Sequence, residues 1–229
     1  AESEMKYKLL IENQNEYIVK VNTDGNFVYA SPSYCDLFGK TTADLYGKSF
    51  MPLVHEGDRE STRESMKNLY QPPYICYIEQ RAKTKNGWRW LAWSDKAILD
   101  SNGEIESIIG VGRDITERKK SEGILNSIID NNPLSIQMID KKGFTIRVNE
   151  SHTKLFKAIP PADYSVFDDP LLIEQNLSES INRIKEGEVV QLPEFYYNPH
   201  RINPDFPDNP IWIKMLAFPI LNEENNPEL

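Results

Sequence analysis

The chain has 229 residues, of which 39% are hydrophobic and 27% charged, and its formal net charge is −9. This length suits one large domain or two of ordinary size, with enough apolar side chains to bury a core. The acidic balance, with no basic patch, argues against binding to nucleic acid or to an anionic membrane surface. No apolar run approaches the roughly 18 residues that a membrane span needs, and no signal peptide opens the sequence.

The side chains that most enzyme chemistry requires are few and scattered. Cys35 and Cys76 form no spaced metal or redox motif, which favours a reduced, cytoplasmic setting. The chain has no Gly-rich phosphate loop, no HExxH and no kinase phosphoacceptor or ATP motif. We therefore predict no catalytic residue and no metal site, and we expect His152 and His200 on the surface.

The first half of the chain contains strands and helices in a simple order: two strands, short helices, a long helix and three strands. An amphipathic helix over residues 3–16 precedes them, with Met5, Leu9 and Leu10 at helical spacing. We expect this exposed stripe to support a homodimer. The predicted elements cover residues 17–22, 27–30, 31–38, 58–69, 74–84, 88–99 and 104–115.

The last two of these strands form the central hairpin. The first strand is rich in aromatic and β-branched residues, and the second alternates apolar and polar residues. Between them, Asp100-Ser-Asn-Gly103 predicts the turn, in which Asn-Gly supplies positive φ angles.

The second half repeats the first. Residues 17–39 align without a gap to residues 135–157, sharing the turn glycine (Gly25 and Gly143) and the apolar alternation of their strands. A second matching block contains Trp90 and Trp212. Two matching blocks with one periodicity predict an internal duplication.

The second copy departs from the first in its loops and at its end. Residues 157–170 are rich in proline, and a proline-rich loop joins the predicted strands at 188–197 and 211–221. No segment corresponds to the strand over 104–115. We therefore expect a four-stranded sheet with an exposed edge, in a sequence that stops inside a domain.

Two short motifs and the element order carry a family resemblance. The third strand of the final three ends in Asp114-Ile115-Thr116 and passes directly into the charged Glu117-Arg-Lys-Lys120, while His55-x-x-Asp58-Arg59 precedes the long helix. This pattern resembles the PAS family. The resemblance implies an α+β fold with two tandem PAS-like domains, each a five-stranded antiparallel sheet with helices on one face, the second lacking its last strand.

The repeat and the resemblance together divide the chain into three parts. We expect a first PAS domain over residues 1–116, a connecting signalling helix over 117–132 and a truncated second PAS domain over 133–229. An apolar stripe follows one face of the connecting helix and begins at Ile124 and Leu125.

The resemblance also implies a ligand pocket on one face of the central hairpin. Successive strand residues point to opposite faces, so alternate residues of the two strands share the pocket face. The candidate pocket residues are Leu91, Trp93, Asp95, Ile108, Gly110 and Gly112. Two glycines opposite a tryptophan leave room either for a ligand or for the indole itself, so core packing is the alternative. Trp90 and Trp212 are expected on the outer face, covered by a helix or a partner.

We assign signal relay to Asp114, Ile115 and Thr116, where the sheet ends and the connecting helix begins. Asp114 has Glu117 at capping-box spacing, and Thr116 is a second candidate cap. Either side chain would fix the angle at which the helix leaves the sheet.

No cofactor is predicted. Flavin-binding relatives carry their reactive cysteine in an Asn-Cys-Arg-Phe motif, whereas Cys35 lies in Ser-Tyr-Cys-Asp. His55 is a candidate haem ligand by analogy with some PAS sensors, but its segment is also typical of PAS domains without haem.

The family implies a cytoplasmic sensor segment of a larger signalling protein. We expect it to detect a small molecule, redox state or partner and to shift the population of an effector in the same polypeptide, most often a histidine kinase of a two-component system. Two alternatives remain: a scaffold that only holds a dimer, and the sensor region of a diguanylate cyclase. No contact with nucleic acid or membrane is expected.

Overall fold

The computed structural model describes residues 16–220. The stripe of Met5, Leu9 and Leu10 in the predicted first helix lies outside this range. Contacts divide the chain into two compact units, residues 1–122 and 123–229. Each unit has its own cluster of buried apolar side chains.

One five-stranded antiparallel sheet forms the base of the first unit. Its strands are β1 (Tyr17–Val21), β2 (Phe27–Ala30), β3 (Ile75–Thr84), β4 (Gly87–Leu99) and β5 (Ile105–Asp114). Their order across the sheet is β2-β1-β5-β4-β3, so β5, the last in sequence, lies in the centre. The predicted five-stranded antiparallel sheet is confirmed for this unit.

Short helices between β2 and β3 provide the other half of the first core. They are α1 (Pro32–Phe38), α2 (Thr42–Leu45) and α3 (Arg59–Met66), with 3₁₀ turns at Met51–Leu53, Glu56–Asp58 and Lys67–Tyr70. The helix α1 begins where predicted because the Ser31 hydroxyl accepts a hydrogen bond from the Tyr34 N–H and Pro32 occupies the first turn. It ends at Gly39, whose φ is +62°.

The turn between β4 and β5 differs in detail from the prediction. Gly103 has φ +84°, whereas Asn102 is not among the residues with positive φ. Asp100 Oδ1 accepts hydrogen bonds from the N–H groups of Asn102 (2.8 Å) and Glu104 (2.9 Å). These bonds stabilise a longer turn in which one left-handed glycine suffices.

The helix α4 (Thr116–Asp130) follows β5 after one residue. The second unit then contains α5 (Glu150–Phe156), α6 (Pro170–Glu174) and α7 (Ser178–Lys185), with 3₁₀ turns at Val166–Asp168 and Pro199–Arg201. Its strands are β6 (Gln137–Ile139), β7 (Thr145–Val148), β8 (Val190–Gln191), β9 (Phe195–Tyr197), β10 (Ile211–Ile213) and β11 (Leu216–Ala217).

The strands of the second unit do not form the predicted four-stranded sheet. The described residues contain three two-stranded ladders, β6-β7, β9-β10 and β8-β11. The last two belong to one interrupted hairpin, because the Leu192 N–H donates to the Met215 carbonyl between them. In the first unit, β5 joins β1 to β4. Without a counterpart of this central strand in the described residues, the two hairpins of the second unit share no backbone ladder.

Both units nevertheless contain the same hydrogen-bonded turn at aligned positions. The side chains of Asn22 and Asp140 each accept from the N–H groups two and four residues onward. Gly25 and Gly143 follow with φ +77° and +87°.

The link between first strand and first helix also matches in the two units. Ser31 Oγ accepts from the Ile18 N–H, and Asn149 Oδ1 accepts from the Ile136 N–H. Each of these residues also caps the helix that follows it.

Candidate functional site

A cavity of about 50 Å³ lies between the sheet of the first unit and its covering helices. Apolar side chains of the sheet form one side of its wall, and side chains of α1, of α3 (among them Met66) and of residues 50–54 form the other. Its lining residues with polar side-chain atoms are Tyr34, Thr62, Gln80, Trp93 and Asp95. Pockets for drug-sized ligands usually enclose roughly 300 Å³ or more, so this cavity suits a ligand of only a few heavy atoms.

Four of the six predicted pocket residues line this cavity: Trp93, Asp95, Ile108 and Gly110. Leu91 is fully buried in the core cluster and does not line it. At Gly112, an added Cβ would lie 2.7–2.9 Å from three atoms of the Trp93 indole. The tryptophan ring itself therefore occupies the room that this glycine leaves, as the packing alternative predicts.

The Asp95 carboxyl faces the cavity without a hydrogen-bond or ion-pair partner among the described residues. Burial raises its pKa to about 7, because removal from water penalises the charged form. The absence of a side chain at Gly110 makes room for this carboxyl, since an added Cβ there would come within 2.5 Å of Asp95 Oδ1. The carboxyl can thus act as hydrogen-bond donor or acceptor near neutral pH.

The Trp93 indole supplies a second unsatisfied polar group. Its Nε1 is buried without a hydrogen-bond partner in the described structure, although buried polar atoms are usually paired. Two other polar wall residues bind each other, since the Thr62 hydroxyl donates to Gln80 Oε1 over 2.7 Å. One free donor and one carboxyl of variable charge are features of a binding site for a small polar molecule, and neither is an activated nucleophile.

The predicted relay residues join β4 to α4. The Trp90 N–H donates to Thr116 Oγ1 (3.0 Å), and the Ile115 N–H donates to the Trp90 carbonyl (2.9 Å). Asp114 Oδ1 accepts from the Thr116 N–H (2.8 Å). Asp114 therefore binds an amide of the first helical turn. The Thr116 hydroxyl binds the neighbouring strand and not its own helix, and no bond from Glu117 completes the predicted capping box in the described structure.

A charged cluster, which the sequence reasoning missed, holds the first turn of α4 on the outer face of the sheet. Glu79 of β3 forms ion pairs with Arg118 and Lys119, the latter at 2.7 Å. Hydrogen bonds from Lys119, Tyr77 and Arg118 lower the pKa of Glu79 to about 2. Lys119 Nζ also lies 5.2 Å from the centre of the Trp90 ring. Strand alternation, which places Trp90 on the outer face of the sheet, also places Glu79 on that face. The sequence therefore contained a signal for this cluster.

The three histidines lie in different environments, and one of them is buried where a surface position was predicted. His55 does not line the cavity; its Nδ1 accepts from the Gly57 N–H, and its ring packs 4.7 Å from that of Trp88. His200 is exposed, as predicted. His152 is only 4% exposed, so its predicted surface position is wrong. The repeat alignment contained the signal, because it pairs His152 with Tyr34, which is buried in the first core.

The described part of the chain contains neither a helix that could span a membrane nor a cluster of metal ligands. Within residues 16–220, no helix combines the length and apolar character of a membrane span. Over the same residues, no three His, Cys, Asp or Glu side chains gather as metal ligands would. 

The first unit is thus an α+β domain in which short helices enclose a small cavity against one face of an antiparallel sheet. Residues 11–120 match the family model described as PAS fold. The matched residues, 11–120, therefore belong to the PAS family.

Named relatives match about half of the chain. It is 23% identical over 123 residues to the two-component sensor PprA of Pseudomonas aeruginosa, and 27% identical over 128 residues to the sensor histidine kinase TmoS of Ectopseudomonas mendocina. These alignments cover 53% and 55% of the chain but only 13% of each relative. A crystal structure of a PAS domain from Colwellia psychrerythraea is 20% identical, with a TM-score of 0.47, covering 51% of this chain and 99% of that one.

Proposed function

We propose that this chain is a sensory module that detects a small molecule in the first unit and passes the signal through α4 to an effector in the same polypeptide. The observation that carries the proposal is the position of Trp93 and Asp95. Both residues line the cavity, the Trp93 Nε1 is buried without a partner in the described structure, and both residues lie on β4, the strand that bonds to the start of α4. A ligand that moves β4 would therefore act directly on the helix.

The proposed effector is a histidine kinase of a two-component system. Two relatives carry this class of function in their names, the two-component sensor PprA and the sensor histidine kinase TmoS. In this proposal the chain itself has no catalytic residue and binds neither a flavin nor a haem, and the parent protein works in the cytoplasm.

We further propose that the second unit is a second PAS copy, with domains at 1–116 and 133–229 and a signalling helix over 117–132. The aligned turns at Gly25 and Gly143 and the matching caps at Ser31 and Asn149 support this division. A duplication preserves such local geometry even where most side chains differ.

A dimerisation scaffold is the second candidate function. On α4, the side chains of Ile124, Leu125 and Ile128 are 53%, 60% and 58% exposed. Such a stripe on one helix face favours pairing with another copy. Sensing and dimerisation are compatible, but a pure scaffold would not respond to changes in the cavity.

The test changes the cavity and measures the effector. In the full-length polypeptide, Asp95→Asn and Trp93→Phe should each change the effector rate several-fold, because each alters a polar group at the cavity. Asp36→Asn, on an exposed site of α1, is the control and should leave the rate unchanged. Phosphate transfer from ATP to histidine identifies a kinase, whereas cyclic dinucleotide formation from GTP identifies a cyclase. Folded cavity variants with wild-type output would reject sensing at this cavity.

A further inference from the structure

The second unit contains its own cavity, of about 90 Å³. Aromatic rings and prolines form much of its wall, and the side chains that matter here are His152, Phe156, Tyr164, Asp169, Phe195 and Tyr197. No lysine, arginine or glutamate lines it in the described structure. The cavity thus has an aromatic wall and one carboxylate.

That carboxylate, Asp169, is 1% exposed and is held in one orientation. The hydroxyls of Tyr164 and Tyr197 both donate to its Oδ2, Tyr197 at 2.8 Å, and the Leu171 N–H donates to its Oδ1 at 2.7 Å. Burial raises the pKa of both phenols, so they remain protonated donors. Within residues 16–220, no basic side chain pairs with Asp169.

The electrostatics of this cavity favour a cation. A buried carboxylate without a counter-charge is costly even when hydrogen-bonded. Desolvation lowers the pKa of His152 to about 4, so this wall residue is neutral at physiological pH. The two phenols already donate to Asp169, which leaves their oxygen lone pairs as acceptors. The carboxylate and the phenol oxygens of the wall therefore attract positive charge, and no positively charged side chain of the wall opposes it in the described structure.

We propose that this cavity binds a small organic cation, an alkylammonium or quaternary ammonium compound, with Asp169 as counter-charge and Phe156, Phe195 and Tyr197 as the aromatic wall. Aromatic faces attract such cations, most strongly where water is excluded. The site is separate from the Trp93–Asp95 cavity, and its occupation requires no signal output. Failure of the sensor proposal would therefore leave this one standing.

The test compares a cation with its neutral isostere on the complete chain. Calorimetric titration with choline, tetramethylammonium and butylammonium should reveal binding, with choline at least about 10-fold tighter than 3,3-dimethylbutan-1-ol, in which carbon replaces nitrogen. Methyl-¹³C-methionine labelling locates the ligand, because Met215 lines this cavity and Met66 lines the other. Choline should shift the Met215 methyl resonance and leave Met66 unchanged.

Two variants separate charge from aromatic contact. Asp169→Asn should weaken choline binding at least about 10-fold, in line with the loss of a desolvated charge pair. Should this buried substitution unfold the unit, Phe156→Leu should weaken choline several-fold while leaving 3,3-dimethylbutan-1-ol unaffected, and Phe167→Leu, outside the cavity wall, is the control. Equal affinity for choline and its isostere, no binding of any of the three cations, or a shift at Met66 alone would overturn the proposal.

Discussion

The Trp90 N–H donates a hydrogen bond to the Thr116 hydroxyl over 3.0 Å, so β4, which lines the cavity, binds the first residue of α4. Trp93 and Asp95 lie farther along the same strand. Because a hydrogen-bonded strand moves largely as a unit, a displacement at the cavity reaches the helix through this bond and through the Ile115–Trp90 bond beside it. Substitutions that remove these bonds should therefore weaken the coupling between β4 and α4 without changing the cavity.

Asp114→Ala tests the relay. It removes the acceptor for the Thr116 N–H, so the first unit should lose about 1 kcal/mol, the usual cost of a lost helix cap, and still unfold cooperatively. In the full-length polypeptide the effector should lose its response to input, because the helix angle is no longer fixed. Circular dichroism melts and effector rates check the two parts.

Thr116→Val extends that test to the other side of the junction. It keeps the branched shape and removes the acceptor for the Trp90 N–H. We expect the same uncoupling, with Asp36→Ala as the exposed control. If both junction variants respond like wild type, these contacts are structural only and the signal leaves by another route.

Gly112→Ala tests the packing of the indole. The new Cβ would lie 2.7–2.9 Å from the Trp93 ring, which is buried and cannot yield easily. Overpacking of this kind costs about 1–3 kcal/mol. Gly123→Ala is the matched control, since nothing lies within 4 Å of its added Cβ and alanine favours the helix by up to about 1 kcal/mol. Urea unfolding should show opposite signs for the two variants, and equal stability of Gly112→Ala and wild type would contradict this packing.

Asp95→Asn tests the buried carboxyl. Its pKa in the folded state is about 7, above the unfolded value near 4, so ionisation destabilises the fold as pH rises from about 4 to 7. The variant removes that penalty. It should match wild type at pH 4 and exceed it by on the order of 3 kcal/mol at pH 8. Asp36→Asn should show no such trend, and a constant difference between Asp95→Asn and wild type across this range would count against the buried charge.

The sequence predicted what depends on local pattern. The family resemblance indicated which face of the sheet is covered. Within β4, alternation put Trp93 and Asp95 on one face and Trp90 on the other, and turn and cap residues set Gly103 and Ser31 in their observed roles. These features depend on neighbours in the chain. Strand period and capping chemistry are therefore enough to predict them.

Features that depend on distant parts of the chain were not predicted correctly. The Thr116 hydroxyl bonds to a strand that lies 26 positions earlier, and Glu79 meets Arg118 across 39 positions. The central position of β5 in the sheet also depends on contacts between distant parts of the chain, and the sequence did not reveal it. For that reason we expected the second unit to form one four-stranded sheet without such a strand. Tertiary contacts of this kind override local capping preferences.

Leu125→Glu tests dimerisation. Leu125 is 60% exposed in the apolar stripe of α4, and a charge there should prevent burial against a second copy. Light scattering should give about twice 26.5 kDa for wild type and a lower mass for the variant. Lys120→Glu, outside the stripe, controls for the change of charge. Wild type at 26.5 kDa at high concentration would contradict a dimer.

His152 should make the second unit sensitive to acid. Burial lowers its folded pKa to about 4, below the unfolded value near 6.5. The unfolded state therefore binds a proton first as pH falls. The stability that the neutral histidine contributes is complete above pH 6.5 and declines towards pH 4, by at most about 3 kcal/mol.

His152→Gln removes the titrating ring, so the decline between pH 6.5 and 4 should be smaller in the variant than in wild type. His200→Gln, on an exposed site, is the matched control and should follow wild type. The methyl resonances of Met138 and Met215 report unfolding of the second unit separately from the first, because both residues belong to the second unit, residues 123–229. Parallel declines in wild type and His152→Gln would mean that another group causes the acid sensitivity, and that the imidazole is not the buried neutral base that its 4% exposure indicates.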